Sequence, residues 1–195
     1  MTKTEITRDD IMPMAEYEKE RKERRRQVTE MKRNRRVDVG PFATFYFESY
    51  DTMWHQVHEM LFIEKGGEAQ IEDELRAYNP LVPKGGELVA TVMLQIEDPD
   101  RRHRELMKLG GIEDTFYMTV NGERVDGVSE ADVDRTTAAG KASSVQFVHF
   151  TFTPEQIEAF RQPGAEVIVG IDHENYGHMA KLSEAVREAL AEDFA

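Results

Sequence analysis

Four polar residues near the middle of the chain have the types and the spacing that metal or proton chemistry uses. His55 and Glu59 are four residues apart, and Gln56 and His58 lie between them. Residues four apart share one face of a helix, so we expect His55 and Glu59 to lie side by side. Imidazole and carboxylate groups together bind iron, manganese or zinc. The spacing is not the zinc motif HExxH, because Phe62 stands where the second histidine would be.

A second polar cluster, DHENYGH over 172–178, directly follows a short apolar run. The pattern predicts that this run is a strand and that the cluster is a turn into a final helix, a common place for a site. His173 and His178 from this turn, with His55 and Glu59 opposite, would make a mononuclear iron, manganese or zinc site. The alternative is that Asp and Asn in the cluster only cap the helix.

A structural interpretation of the carboxylates stands beside the metal hypothesis. A buried charge without a partner is costly, so acids within an apolar segment need bases or hydrogen-bond donors. The acids are Glu48, Glu59 and Glu64, and the candidate bases are Arg24, Arg25, Arg35 and Arg36. Pairs between these groups would lock the first helix to the body. Glu59 would then stabilise the fold and take no part in a reaction.

Composition excludes several classes of chemistry. No cysteine is present among the 195 residues, so the chain itself supplies no disulfide, thiolate nucleophile or iron–sulfur ligand. Residues 1–36 hold 12 Lys/Arg and 8 Asp/Glu, a net charge of +4, and the remainder holds 13 and 30, a net charge of −17. An acidic body repels nucleic acid and anionic lipid. The bases of the first helix alternate with glutamates, which favours a solvated or intramolecular helix face over a nucleic-acid interface.

The sequence has no apolar signal segment, no apolar run long enough for a membrane span and no N-glycosylation sequon. These features are typical of cytoplasmic proteins. We therefore expect a cytoplasmic protein with neither a membrane partner nor a nucleic-acid partner.

The hydrophobic pattern predicts an α+β fold, a mostly antiparallel sheet packed with helices and preceded by a long N-terminal helix. That helix extends from about residue 10–13 to 35, and its thin apolar stripe indicates that it lies across the body or a partner subunit. Strands are predicted over 42–47, 87–96, 114–120, 123–128, 145–152 and 167–171, and helices over 53–65, 68–78, 98–109, 154–161 and 176–193. Asn121-Gly122 predicts a tight hairpin. The expected units are the helix over 1–36 and one α+β domain over 37–195.

Three segments, RNRRVDVGPFATFYFESYDTMWHQVHEMLFIEKGG, IEDELRAYNPLVPKGGELVATVMLQI and DHENYGHMAKL, resemble the bacterial family of uncharacterised proteins DUF3501. The resemblance extends from about residue 11 to the C-terminus. It implies no established activity, and it implies an association with rubrerythrin-like and iron–sulfur oxidoreductase genes. The family pattern does not usually place histidine at His55 or His58. The resemblance therefore shifts weight to Glu48, Gln56 and Glu64 as cofactor-binding residues and to Glu59 and His173 as ligands.

Two functions follow from these observations. The first is a cytoplasmic accessory or binding protein of redox or oxidative-stress metabolism, a homodimer that binds a redox protein partner or a cofactor, since the chain has no complete catalytic signature. The second is a metal-dependent enzyme or metal-binding protein that holds iron, manganese or zinc through histidines and carboxylates. The sequence leaves open whether the chain is an enzyme.

Overall fold

A computed structural model describes residues 3–130 and 135–195, and it has the α+β fold that the sequence predicts. The strands are β1 (Arg36–Val39), β2 (Ala43–Phe47), β3 (Glu87–Leu94), β4 (Phe116–Val120), β5 (Glu123–Ser129), β6 (Val145–Thr151), β7 (Val167–His173) and β8 (Tyr176–Lys181). The α-helices are α1 (Met14–Lys32), α2 (Tyr50–Glu64), α3 (Glu68–Tyr78), α4 (Pro99–Leu106), α5 (Pro154–Arg161) and α6 (Glu184–Ala191). Of the described residues, no helix combines the length and the apolar composition that a membrane span needs.

The strands form one antiparallel sheet in the order β1-β2-β3-β6-β5-β4-β7-β8. Asn121 and Gly122 make the β4–β5 turn with φ angles of 49° and 88°, which confirms the predicted hairpin. The sheet curls until its two edge strands, β1 and β8, lie beside each other. The result is a nearly closed barrel.

One tyrosine joins the two edges of the barrel. The Tyr176 hydroxyl on β8 accepts hydrogen bonds from the backbone N–H groups of Phe42 and Ala43, at 3.1 and 3.0 Å. It donates its own proton to the Val39 carbonyl oxygen at 2.8 Å. Gly40 lies in the same turn at φ 71°, where a Cβ atom would come within 2.8 Å of this hydroxyl. We call this contact of Tyr176 with the β1–β2 turn the seam. It satisfies backbone N–H and C=O groups at a sheet edge, where no neighbouring strand can pair with them.

Apolar side chains fill the inside of the barrel. Phe45 on β2 and Phe116 on β4 are not neighbours in the sheet, yet their rings meet edge to face with centroids 5.7 Å apart. This contact therefore crosses the barrel interior. Phe160 of α5 and Leu190 of α6 are fully buried in the same core. Each such side chain stabilises the fold by about 1.5–3 kcal/mol, so this interior is the main source of stability.

Three helices form a layer on the outer face of the barrel. Met53, Val57 and Leu61 of α2 pack with Ile71 of α3 in a second apolar cluster that includes Val89 of β3. Helix α1 lies on α2 and buries only Tyr17. The thin apolar stripe of the N-terminal helix therefore packs against α2, a helix of the same chain.

Arg35, which follows α1, ties the N-terminal helix to the barrel. Its guanidinium donates to the carbonyl oxygens of Phe47 and Glu48 at the end of β2, at 3.1 and 2.9 Å. It also donates to the Ala189 carbonyl oxygen of α6 at 3.1 Å and pairs with Asp193. Burial raises the pKa of Asp193 to about 6, although Arg35 opposes the rise. These contacts join α1, β2 and the C-terminal residues.

The structure corrects the predicted end of the chain. Residues 176–193 are not one helix, because β8 occupies Tyr176–Lys181 and α6 begins at Glu184 after the Ser183 side chain caps it. The cluster over 172–178 is consequently the β7–β8 hairpin and not a turn into a helix. Strand β8 is a short and mostly exposed edge, so its hydrophobic alternation is too weak to predict it.

Other boundaries also differ from the prediction. No strand was predicted over 37–40, whereas β1 occupies Arg36–Val39. Helix α2 begins three residues early, because the Ser49 hydroxyl accepts the Thr52 N–H and the Thr52 hydroxyl accepts the Ser49 N–H. No strand or helix was predicted over the polar segment 129–143, and residues 131–134 of that segment lie outside the described residues.

Replacing Tyr176 with phenylalanine should lower the free energy of unfolding by about 2–3 kcal/mol, because buried backbone groups at the seam lose their partner. Chemical denaturation followed by circular dichroism measures this change. Tyr117→Phe is the matched control, since the Tyr117 ring lies against Gly170 and its hydroxyl has no hydrogen bond to a described residue. That control should change the free energy by less than about 0.5 kcal/mol. Equal effects of the two substitutions would contradict the role assigned to the seam.

Candidate functional site

A set of hydrogen-bonded polar side chains lies between α1 and α2. It consists of Tyr17, Arg21, His55 and Glu59, here called the interhelical cluster. The Tyr17 hydroxyl donates to Glu59 Oε1 at 2.8 Å and lies 3.1 Å from His55 Nδ1. Arg21 donates to both carboxylate oxygens of Glu59, from Nε and Nη2, at 2.8 Å each. Each carboxylate oxygen of Glu59 therefore already has a donor.

The cluster follows from two helical spacings. Tyr17 and Arg21 are four apart on α1, and His55 and Glu59 are four apart on α2, so each pair projects from one face of its helix. The shared face predicted for His55 and Glu59 is thus present. Phe62, one turn further along α2, packs under the guanidinium of Arg21 at 4.6 Å from the ring centroid.

The electrostatics of the cluster favour a fixed ion pair. The hydrogen bonds from Arg21 hold the pKa of Glu59 at about 2, against the opposing effect of burial. Burial and the glutamate together raise the pKa of the Tyr17 hydroxyl far above its usual range. Burial lowers the pKa of His55, and the bases Lys32 and Arg25 add to this effect, although Glu59 opposes it. At neutral pH the cluster is an ionised glutamate with a neutral tyrosine and a neutral imidazole.

His58, whose ring lies 5.0 Å from the Tyr17 ring between their centroids, has a structural role. Its Nε2 accepts the backbone N–H of Met12 at 3.0 Å, and its Nδ1 donates to the Trp54 carbonyl oxygen at 2.7 Å. The Trp54 indole N–H in turn donates to the Asp10 carbonyl oxygen at 2.8 Å. Burial lowers the pKa of His58 to about 4. This neutral histidine therefore anchors the segment that precedes α1, and both of its nitrogens are used.

His173 is also fully engaged. Its Nδ1 accepts the backbone N–H of Asn175 at 3.2 Å, and its Nε2 lies 3.2 Å from the carbonyl oxygen of Gly110, to which it donates. The Asn175 side chain donates to the Lys108 carbonyl oxygen at 3.0 Å. The β7–β8 turn is thereby tied to the loop that follows α4. His178 is exposed, and its ring packs against Tyr176 with centroids 4.6 Å apart.

The structure does not bring the four proposed metal ligands together. His55 and Glu59 lie between α1 and α2, whereas His173 and His178 lie on the β7–β8 hairpin. Across residues 3–130 and 135–195, no group of three His, Asp or Glu side chains is arranged to hold a metal ion. The expected metal site required the 172–178 cluster to be a turn into a helix. The cluster is instead the β7–β8 hairpin, in which His173 bonds to Gly110.

The proposed cofactor-binding residues are separated as well. Glu48 is buried ahead of α2, where it accepts hydrogen bonds from the hydroxyls of Thr52 and Thr91 at 2.7 and 2.8 Å. Glu64 is the last residue of α2, is exposed and accepts a hydrogen bond from Gln70. Helix α2 is about 20 Å long, which keeps these two carboxylates apart. Gln56, which lies between Glu48 and Glu64 in the sequence, is half-buried.

The structural interpretation of the carboxylates is correct that Glu59 forms an ion pair, but the base that it pairs with is not one of those proposed. Glu59 pairs with Arg21 and not with any of the four bases proposed for it. Arg35 pairs with Asp193, and the carboxylate of Glu48 is satisfied by hydroxyl groups. The first helix is therefore locked to the body, as that interpretation predicts.

One polar group was not predicted from the sequence. His149 on β6 lies with its Nδ1 3.0 Å from Glu87 on β3 and its Nε2 3.8 Å from Glu130. The hydrogen bond to Glu87 raises the pKa of His149. Arg135 approaches Glu130 at 3.9 Å and stacks over the ring of Phe147. Alternation in β3 and β6 places Glu87 and His149 outward, but only the register between these strands brings them together.

These observations define the chain as a nearly closed antiparallel barrel with an outer helical layer. Most of its buried polar side chains are paired internally, and among the described residues Arg135 Nε and Gln146 Oε1 are buried without a hydrogen-bond partner. The protein belongs to DUF3501, a protein family of unknown function whose model matches residues 5–194. This match confirms the resemblance seen in the sequence. A crystal structure from Burkholderia pseudomallei, described as a novel protein of unknown function, is 34% identical, covers 100% of both chains and has a TM-score of 0.90. A comparison with curated proteins gave no match.

Replacing Glu59 with glutamine should lower the free energy of unfolding by about 2 kcal/mol near neutral pH, because Arg21 loses its charged partner. The pKa of Glu59 falls from 4.5 to about 2 on folding. The difference between the two proteins should therefore be complete above about pH 4.5 and should vanish as the pH falls to about 2. Denaturation at several pH values measures it. Glu23→Gln, which affects an exposed pair with Arg26, is the control and should have little effect. A pH-independent difference would rule out the ion pair as its cause.

Replacing His173 with alanine should destabilise the fold by about 1–3 kcal/mol, because the imidazole hydrogen bonds to Gly110 and Asn175 are lost. His178→Ala should leave the stability nearly unchanged, since that ring is exposed. Denaturation and metal analysis of both variants are compared. Loss of bound iron, manganese or zinc in both variants, without destabilisation, would support the metal hypothesis and contradict this assignment.

Proposed function

We propose that this protein is an accessory binding protein of redox metabolism that acts through contacts with a redox protein partner. The observation that carries the proposal is the internal pairing of the side chains that most resemble a site. Both nitrogens of His58 and of His173 are engaged, as are both carboxylate oxygens of Glu59. General acid–base or metal chemistry needs such groups to face a reactant.

The proposal includes a cytoplasmic location and a partner protein from redox metabolism. Family resemblance to proteins associated with rubrerythrin-like and iron–sulfur oxidoreductase genes supports a partner from oxidative-stress metabolism. The absence of cysteine in the sequence supports a reducing, cytoplasmic location. A homodimer is also proposed, because α1 buries only Tyr17 and leaves most of its surface available to a second copy.

Co-elution tests the proposal. The purified protein should co-elute in size-exclusion chromatography with a rubrerythrin-like protein or an iron–sulfur oxidoreductase encoded beside it, and light scattering should give the mass of a homodimer plus partner. A surface contact of ordinary size buries about 1,600 Å² in total, enough for micromolar binding or better. An unrelated acidic protein of similar size is the control.

Two results would overturn the proposal. The first is absence of co-elution with either redox protein at concentrations of tens of micromolar. The second is a stoichiometric metal ion bound to the untagged protein together with turnover of oxygen or peroxide, which would support the metal-dependent alternative.

A further inference from the structure

A basic groove lies along α1 beside α2. Five bases and two acids, Glu18 and Glu30, line it, and the Phe62 ring of α2 contributes an apolar wall. The bases are Arg21, Lys22, Arg25, Arg26 and Arg33. The groove has a volume of about 600 Å³. It extends over residues 18–33, about 22 Å along the helix.

Charge in the groove is only partly compensated. Arg21 is paired with Glu59, Arg26 with Glu23 and Arg33 with Glu30. Lys22 and Arg25 lie in the middle of the groove, and neither has a carboxylate within 4.0 Å in the part of the chain that the structure describes. The uncompensated positive charge is therefore central to the groove.

A neighbouring group responds to this charge. The pKa of His55, on the α2 side of the same helix pair, is lowered chiefly by burial and further by Lys32, Arg25 and Arg21. Only Glu59 opposes these bases. The positive potential of α1 therefore extends beyond the groove itself.

We propose that the basic groove binds a short acidic segment of the partner protein, with an apolar side chain of that segment against Phe62. This inference rests on the proposed accessory function and adds the surface and the chemistry of the contact. Opposite charges across an interface steer encounter and fix its register. Carboxylates of an acidic segment would complete the pairing of Lys22 and Arg25.

The size of the groove and the charge around it favour a short segment over a long polyanion. An extended chain rises about 3.3 Å per residue, so a groove of about 22 Å holds about seven residues. Residues beyond 36 carry a net charge of −17, which repels the continuing phosphates of a nucleic acid. The groove also offers one aromatic ring, whereas single-stranded nucleic acid binds to several stacked aromatics.

A fluorescence anisotropy titration tests the inference. The probe is a fluorescein-labelled peptide of about seven residues, glutamates with one leucine and one phenylalanine, matched to the groove length. The double variant Lys22→Glu/Arg25→Glu should weaken its binding by about tenfold or more at low salt. The control is Arg101→Glu/Arg104→Glu, which makes the same charge change on exposed residues of α4. It should change binding by less than about twofold, because the added charge is distant and screened.

Each outcome decides the inference separately from the proposed function. Selective loss of binding in the groove variant, with unchanged circular dichroism, supports it. Equal loss in both double variants, or no binding by the wild type, overturns it. Tighter binding of a labelled single-stranded DNA than of the peptide also overturns it. If the groove variant still co-elutes with the redox partner at wild-type affinity, the accessory function stands and this inference fails.

Discussion

The position of α1 depends on the bidentate ion pair between Arg21 and Glu59, to which Tyr17 adds a third hydrogen bond. Both charges are partly removed from water, with Glu59 only 14% exposed, and either one alone would lose hydration without compensation. Tyr17 is the one side chain that α1 buries, so these polar contacts, more than apolar packing, fix the rotation of the helix. Lys22 and Arg25, beside Arg21 on the helix, are exposed to solvent.

The same principle accounts for the buried histidines and for Arg35. Each adds hydrogen bonds to a segment that also has apolar contacts: His58 to the chain before α1, His173 to the β7–β8 turn, and Arg35 to the C-terminal residues. Tyr176 does the same for the open edges of the barrel. A buried polar group with all partners present is inert, since its donors and acceptors have no capacity left for a substrate. Function is therefore sought on the surface.

Local signals in the sequence predicted much of this fold. The apolar pattern predicted the strand over 145–152, Asn121-Gly122 predicted the hairpin, and the i,i+4 spacing predicted that His55 and Glu59 lie together. The partners of these residues could not be predicted, because they depend on the rotation of α1 over α2 and on strand register. Arg21 and Glu59 are 38 residues apart, and Glu87 and His149 are 62 apart. Strand β8 was missed because an exposed edge strand has little hydrophobic pattern.

Imidazole nitrogen NMR at neutral pH distinguishes structural histidines from metal ligands. The hydrogen bonds require opposite tautomers, with the proton on Nδ1 in His58 and on Nε2 in His173. We expect these two tautomers, and we expect neither signal to change when Zn²⁺ or Fe²⁺ is added. A protonated ring, a mixture of tautomers, or a shift of the His173 or His55 nitrogens on addition of metal would contradict this expectation.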